Sequence, residues 1–139
     1  MPQLLASIPF DDGSVTLRLT VELIGRPGPL RFGYQGEIDT GFSGGLRGDE
    51  NLHEVLSDMG FEAADATVSL ADQKVHDAWV YPVRILTIAA PTEEVVLTSP
   101  VPTILVCFQA GGCLVGLGAF EQWIVELDGP GRMLRISVP

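Results

Sequence analysis

Residues 36–44 read Gly-Glu-Ile-Asp-Thr-Gly-Phe-Ser-Gly, and this stretch decides how the rest of the chain is interpreted. The residues before it alternate between apolar and polar types, which predicts a strand that ends at Asp39. Thr40 and Gly41 follow directly. With nine Asp, eight Thr and sixteen Gly residues in the chain, random placement gives an Asp-Thr-Gly triplet about 0.06 times. The triplet occurs once, and its carboxyl group is therefore the leading candidate for chemistry.

Length and composition restrict the class of protein. A chain of 139 residues, 46% of them hydrophobic, is the size of one domain with one core, so residues 1–139 are predicted to form a single domain. The net charge of -10 argues against nucleic-acid binding, which requires Lys and Arg to neutralise phosphates. No segment approaches the roughly 20 apolar residues of a membrane span, and residues 1–10 do not resemble a signal peptide. The sequence predicts a soluble, cytoplasmic protein.

The cysteines and histidines do not predict a metal site. Cys107 and Cys113 lack partners at a ligand spacing, because His53 and His76 lie far away in sequence. A disulfide between the two cysteines is conceivable, but a reducing cytosol favours free thiols. Neither a metal nor another cofactor is expected, and both histidines are predicted to be solvated residues without a chemical role.

Most of the chain has the pattern of β-strands. The clearest case is the alternation of Leu17, Leu19, Val21 and Leu23 with polar residues, which predicts a strand with one buried face. Turn signals and alternation together predict strands over residues 4–10, 14–24, 30–38, 66–70, 75–88, 95–97, 104–108, 124–127 and 133–138. Pro82 falls within one of them and indicates an edge or a bulge, because proline cannot donate to a ladder.

One helix is predicted over residues 49–59, with Gly60 as its stop signal. Its apolar residues recur at the spacing of one helical face. That face is predicted to be buried and consists of Leu52, Val55, Leu56 and Met59. His53, Glu54 and Asp58 are predicted to face solvent.

Three segments resemble the retropepsin-like aspartic proteases of clan AA, in particular the small prokaryotic group whose motif reads Asp-Thr-Gly-Phe. The first is 38–44. The second joins the helix end at 56–61 to 68–73, which is similar to the family's helix and flap. The third is 113–120 followed by 125–128, which resembles the family's apolar-apolar-Gly segment, short helix and last strand. The resemblance implies an acid-protease fold that is mainly all-β: a closed β-barrel with one main helix and a flap hairpin.

Two positions depart from the family pattern. Gln73 stands where a glycine is usual at the flap tip, and Gly118 stands where Asp or Asn is frequent. The first change affects what covers the site, and the second removes a polar group from the expected dimer contact. Neither alters the Asp-Thr-Gly triplet.

The resemblance assigns roles to the residues around Asp39. One chain supplies one aspartate, so a second copy must supply the other, and a symmetric homodimer is implied. Thr40 would reach across the two-fold axis to the opposite loop, and the carbonyl of Gly41 would bind substrate. Gly116 would pack under the loop. Two plainer interpretations stay open: Thr40 caps a turn, and Gly116 relieves crowding between strands.

The implied flap spans residues 71–79, with Ala71, Asp72 and Gln73 at its tip as substrate-binding residues. Trp79 and Tyr81 either line the cleft or belong to the core or an interface, and alternate aromatic residues on a strand favour the core or an interface. The dimer is expected to use residues 4–7 and 134–138 as its contact strands.

The function implied is that of an aspartic endopeptidase that cleaves peptides bound as extended strands. The pair of aspartates would share one proton and activate a water molecule. The alternative is a peptide-binding or assembly module that keeps the retropepsin fold without proteolysis. A peptide or protein substrate and a second copy of the chain are the expected partners, without nucleic acid or membrane.

Overall fold

A computed structural model describes residues 2–10, 14–25, 28–70, 73–90 and 93–139. These residues are mostly β-structure with one α-helix. The strands are β1 (Gln3–Pro9), β2 (Thr16–Leu23), β3 (Leu30–Ile38), β4 (Leu46–Gly48), β5 (Ala64–Ser69), β6 (Val75–Ala89), β7 (Glu94–Cys107), β8 (Leu114–Val115), β9 (Ile124–Asp128) and β10 (Met133–Val138). The helix α1 spans Glu50–Asp58, and a 3₁₀ turn spans Leu117–Ala119.

The strands form two sheets. The larger sheet has the order β2-β3-β8-β4-β7-β6-β5. An additional pairing between β2 and β6 joins the first six of these strands into a ring of paired strands. β5 extends from this ring as the outer strand of a hairpin with β6. The smaller sheet has the order β1-β10-β9, so strands from the two ends of the chain pair with each other.

Alternation in the sequence correctly predicts the buried face of β2. Leu17, Leu19, Val21 and Leu23 are all buried, as the period-2 pattern of β2 requires. One continuous core joins these residues to apolar side chains from the smaller sheet, including Ile8 and Ile136. Both sheets therefore share one hydrophobic interior.

The structure corrects several strand boundaries. Residues 95–97 and 104–108, predicted as separate strands, belong largely to the single strand β7, which continues through two prolines. β4 and β8 were not predicted, because strands of three and two residues carry no readable period. The expectation for Pro82 was partly right: it lies between the segment of β6 that pairs with β5 and the segment that pairs with β2.

The helix forms as predicted but buries a different face. Asp49 is its N-cap, with its carboxylate accepting a hydrogen bond from the Leu52 amide at 3.0 Å. Leu56 is 2% exposed and Leu52 is half-buried, whereas Val55 (55% exposed) and Met59 (46% exposed) face outward. The prediction that Val55 and Met59 are buried was wrong, because the short helix packs through a narrow face that carries Leu52, His53 and Leu56. Within the described ranges, no helix is long and apolar enough to cross a membrane.

Candidate active site

Asp39 lies immediately after β3 and is fixed by backbone contacts on both sides of that strand. Its amide donates a hydrogen bond to the carbonyl of Val115 at 3.0 Å, where β8 runs parallel to β3. The amide of Ile38 donates to the carbonyl of Val15 at 2.8 Å. These contacts determine where the backbone delivers the carboxyl group, as the position of the triplet after a strand predicted.

The triplet forms a tight turn around its own carboxylate. The amide of Gly41 donates to Asp39 Oδ1 at 2.9 Å, and the amide of Phe42 donates to the Asp39 carbonyl at 3.1 Å. Asp39 is half-buried, while Thr40 and Gly41 are exposed. The Thr40 hydroxyl has no hydrogen-bond partner among the described residues, so no capping bond is formed there within one chain. It remains available for a contact outside the chain.

Four glycines hold the loop after Asp39 against the segment after β8. We call Gly44, Gly45, Gly116 and Gly118 the glycine clamp. The amide of Gly116 donates to the Gly45 carbonyl at 2.7 Å, and the amide of Gly118 donates to the Gly44 carbonyl at 3.0 Å. A Cβ atom on Gly116 would lie 2.5 Å from the carbonyl oxygen of Phe42. The two backbones therefore touch at a distance that excludes side chains.

The clamp gives Gly118 a structural role. A Cβ atom there would lie 3.0 Å from the carbonyl carbon of Gly44 and 3.1 Å from the amide nitrogen of Gly45. Both neighbours are backbone atoms, which move only with the whole loop. The glycine that departs from the family pattern at position 118 therefore lies where two backbone segments of this chain approach closely.

Tyr34 supports the loop from inside the sheet and was missed by the sequence analysis. Its hydroxyl lies 2.6 Å from the carbonyl of Arg47 and 2.5 Å from the carbonyl of Leu114, so it links β3 to the two unpredicted short strands. Burial raises the pKa of Tyr34 well above its usual value, which keeps the phenol protonated as a donor. The only sequence signal for Tyr34 was its position in a strand of alternating apolar residues.

An open groove of about 600 Å³ runs beside Asp39. Asp39 and Thr40 lie at one side of it, and most of its other lining residues are apolar. The lining comprises Ser14, Val15, Glu37, Ile38, Asp39, Thr40, Leu117, Phe120, Trp123, Val125, Leu127 and Leu134. The carboxylate thus has both solvent access and an apolar neighbourhood.

The β5–β6 hairpin contains the implied flap, residues 71–79, and none of its described residues lines the groove beside Asp39. Gln73 has φ of +62°, and its amide donates to the carbonyl of Leu70 at 2.9 Å. This left-handed conformation suits glycine best, which is the residue usual at the corresponding place in the family. The predicted tip residues Ala71 and Asp72 lie outside the described residues. Val75 at the start of β6 is 68% exposed.

His53 corrects the prediction that it is solvated. Its ring stacks on Trp79 with centroids 4.0 Å apart and planes inclined by 8°, and its Nδ1 atom lies 2.7 Å from the Tyr81 hydroxyl. Tyr81 is almost fully buried, and Trp79 is half-buried beneath the ring. The aromatic pair therefore anchors α1 to β6, as the core interpretation of Trp79 and Tyr81 favoured. His76 is half-buried as well.

Both cysteines are free thiols, as predicted. Burial, with a smaller contribution from the negative charge of Asp49, raises the pKa of Cys107 to about 12. Burial also raises the pKa of Cys113. Among the described residues, no group of three or more His, Cys, Asp or Glu side chains is arranged to hold a metal ion.

The site is therefore a single carboxylate on a clamped Asp-Thr-Gly turn, in a mainly β fold with one helix. The chain matches no protein-family model and no curated protein sequence. Among solved structures, it is similar to the crystal structure of a retropepsin-like aspartic protease from Rickettsia conorii. The two are 13% identical, the alignment covers 92% of this chain and 97% of the other, and the TM-score is 0.45.

Proposed function

We propose that this protein is an aspartic endopeptidase with a retropepsin-like fold, in which two copies of the chain each contribute Asp39. The observation that carries the proposal is the Asp39 turn itself. One carboxylate accepts a hydrogen bond from the Gly41 amide and lies on a backbone held by the glycine clamp, at the side of an open groove. Such support is what a reacting group requires to keep its geometry.

A single carboxylate cannot perform both proton transfers of peptide hydrolysis, so a second copy completes the site. With two Asp39 side chains in contact across a two-fold axis, both cannot be ionised together, and the pair holds one proton. The ionised carboxylate takes a proton from water as the water oxygen attacks the peptide carbonyl carbon. The protonated carboxyl donates to the carbonyl oxygen, giving a tetrahedral diol. The first carboxyl then gives its proton to the peptide nitrogen while the second, now ionised, takes a proton from the diol, so that the C–N bond breaks without a covalent enzyme intermediate.

The exposed groups of the turn suit the contacts that such a pair needs. The Thr40 hydroxyl has no partner in its own described chain, which leaves it available to the backbone of the second loop. Gly41 is exposed and lacks a Cβ atom, so two loops and a substrate can approach closely. Its carbonyl would accept a hydrogen bond from an extended peptide.

The β5–β6 hairpin is the proposed flap, with Ala71, Asp72 and Gln73 contacting the peptide. Closure of a hairpin excludes water and fixes the scissile bond against the carboxylate pair. The substrate class is a peptide or an unfolded protein segment in extended conformation, because backbone hydrogen bonds of a bound strand are independent of side chains.

The Asp39→Asn variant tests this function. The amide keeps the size of the side chain but removes the titrating carboxylate, so we expect a folded dimer whose kcat/KM falls about 10³-fold or more. Cleavage of an unfolded protein would be measured from about pH 3 to about pH 7, with the highest rate expected at acidic pH, where the pair holds one proton. Asp58→Asn, at an exposed position of α1, is the matched control and should retain full activity.

Two results would count against the protease. Equal cleavage by the Asp39→Asn variant and the parent would assign the activity to another protein in the preparation. A well-formed dimer of the parent without cleavage at any pH would favour the peptide-binding or assembly module instead.

A further inference from the structure

Glu37 provides a second carboxylate in the groove beside Asp39. It is exposed, and both residues line that groove. The amide of Glu37 donates to the Cys113 carbonyl at 3.1 Å, and on the other side of β3 the residue pairs with Thr16 of β2. The backbone of Glu37 is therefore held between two neighbouring segments, and its side chain emerges at a fixed place next to the Asp39 turn.

The Glu37 carboxylate has no partner within the chain. It makes no ion pair and no side-chain hydrogen bond with the residues that the structure describes. The opposite case is Glu22 in β2, whose carboxylate pairs with Arg31 at 3.0 Å and with Arg84 at 3.1 Å. Glu37 is thus free to pair with a cation that arrives with a ligand.

A second cavity, of about 300 Å³, begins at Glu37. Glu37 is the residue that this cavity shares with the groove beside Asp39. A Cβ atom on Gly112 would meet nothing within 4 Å, so the cavity is open on that side. A long side chain that projects from a peptide in the groove has room there. The lining of the second cavity comprises Thr16, Gln35, Gly36, Glu37, Gly112, Cys113 and Leu114.

Both cavities are lined by charge of one sign. Among their described lining residues, Glu37 and Asp39 are the charged ones, and Lys, Arg and His are absent. A cleft lined by one sign of charge concentrates ligands of the opposite sign. A cationic side chain on a bound peptide is attracted to this site, whereas an acidic side chain is repelled. The two cavities together therefore favour basic peptides.

We propose that Glu37 selects peptides with a lysine or arginine side chain close to the scissile bond. This rests on the proposed function, because it takes the groove beside Asp39 to be the peptide-binding cleft. The cationic end group pairs with the Glu37 carboxylate, and its aliphatic stem lies in the second cavity. The pair is made equally in the bound substrate and in the transition state, so it lowers KM and leaves kcat nearly unchanged.

A set of short fluorogenic peptides tests this specificity in the full chain. A single lysine is moved along an otherwise neutral sequence, and each peptide has a matched copy with norleucine, which has a similar length and no charge. At one position, lysine should raise kcat/KM about fivefold over norleucine, mainly through KM, at about pH 6 and low salt. Salt at about 0.5 M should reduce this gain, because it screens an ion pair that is open to solvent.

The Glu37→Gln variant removes the charge and keeps the size of the side chain. Its kcat/KM ratio between the lysine and norleucine peptides should fall to about one, with the norleucine peptides cleaved as by the parent. Glu62→Gln is the matched control, because Glu62 is exposed and lines neither cavity, and it should keep the preference for lysine. Circular dichroism melts check that both variants fold.

Binding to the Asp39→Asn variant separates the specificity from hydrolysis. Fluorescence anisotropy with labelled copies of the same peptides should give a dissociation constant about fivefold lower for lysine than for norleucine. Adding Glu37→Gln to this variant should remove the difference.

The outcomes separate this inference from the proposed function. Cleavage that depends on Asp39 but shows no gain from lysine at any position, or a gain that survives Glu37→Gln, overturns the inference and leaves the protease standing. Loss of cleavage of the norleucine peptides in Glu37→Gln also overturns it, because the residue would then act on the reaction itself. A lysine preference in binding that depends on Glu37, without cleavage by the parent, supports the inference and refutes the protease. Neither binding nor cleavage refutes both.

Discussion

The Asp39 loop (the fixed half) and the β5–β6 hairpin proposed as the flap (the hairpin half) are built in opposite ways. The loop that carries Asp39 is held by backbone hydrogen bonds to the segment around Gly116, at distances that exclude side chains. The β5–β6 hairpin has one strand, β5, that is mostly exposed and pairs only with β6 among the described strands. Among the described strands β5 pairs along one side only, although Val68 and Leu70 of the hairpin pack against a small cluster that includes Val106 and Phe108.

This contrast matches the separate demands of the hydrolysis that we propose. A carboxylate must stay in place to within a fraction of an ångström, which calls for close packing around its backbone. A cover must open for every substrate and product, which calls for few buried contacts and a low free energy of local unfolding. Both elements belong to one sheet because β6 is long: its first part pairs with β5 in the hairpin, and its second part pairs with β2 in the ring.

The substitution expected to destabilise the fixed half most is Gly116→Ala. The added methyl group would lie 2.5 Å from the Phe42 carbonyl oxygen, so the loop has to move, and we expect a loss of about 3 kcal/mol or more in unfolding free energy. Urea denaturation measures it. Gly112→Ala is the matched control, because a Cβ atom there meets nothing within 4 Å, and it should be neutral within about 0.5 kcal/mol. Equal effects of the two substitutions would refute the clamp.

The helix behind the fixed half provides the next test. Leu56→Ala should cost about 2–5 kcal/mol, because the side chain is fully buried and its removal leaves a cavity. Val55→Ala, one position earlier on the exposed face, should change stability by less than about 0.5 kcal/mol. Thermal melts of the pair compare the two faces directly. A larger loss of stability from Val55→Ala than from Leu56→Ala would mean that the helix buries the face predicted from apolar spacing.

The hairpin should respond in the opposite direction to a glycine substitution. Gln73→Gly relieves the left-handed conformation at φ of +62°, and we expect a gain of about 0.5–1 kcal/mol. Gln35→Gly, at an exposed and extended position of β3, should instead lose about 0.5–1 kcal/mol through backbone entropy. Chemical denaturation of both variants gives the signs. A loss at position 73 would mean that the glutamine side chain makes a contact of its own.

Thiol alkylation distinguishes the two halves without altering stability. Cys107 is buried in β7 opposite Gly48 of β4 and has its pKa raised to about 12, so at about pH 8 almost none of it is thiolate. A cysteine introduced as Val75→Cys on the exposed hairpin should react about a thousandfold faster. Mass spectrometry of the labelled peptides reports both rates. Raising the pH should speed the Cys107 reaction up to its pKa; rapid labelling of Cys107 at about pH 8 would show that the fixed half opens locally.

The sequence was informative where side chains repeat and uninformative where backbones meet. Alternation located β2 and its buried face, and the Asp-Thr-Gly triplet located the end of β3. β4 and β8 carry too few residues for a period, although they hold the loop and receive the Tyr34 hydroxyl. The close approach at Gly118 depends on the opposing loop, which sequence spacing does not reveal.

The helix illustrates a different limit. Apolar spacing alone assigned Val55 and Met59 to the core, but the fold offers the helix a narrow contact completed by a histidine. A histidine ring is both polar and flat, so a pattern of hydrophobic residues does not count it as a packing group. Its stacking on Trp79 depends on a strand more than twenty positions away.

The pairing of β1 with β10 has a consequence for how the protein is made. Gln3 pairs with Val138, so β1 has to wait until β10 has been synthesised before the ladder between them can close. Contacts between such distant residues pay a large loop-closure entropy and form slowly. β9 pairs with β10 as well, and thus gains its only ladder partner among the described strands only after β10 has been made. A nascent chain would accordingly carry Asp39 long before the smaller sheet could form.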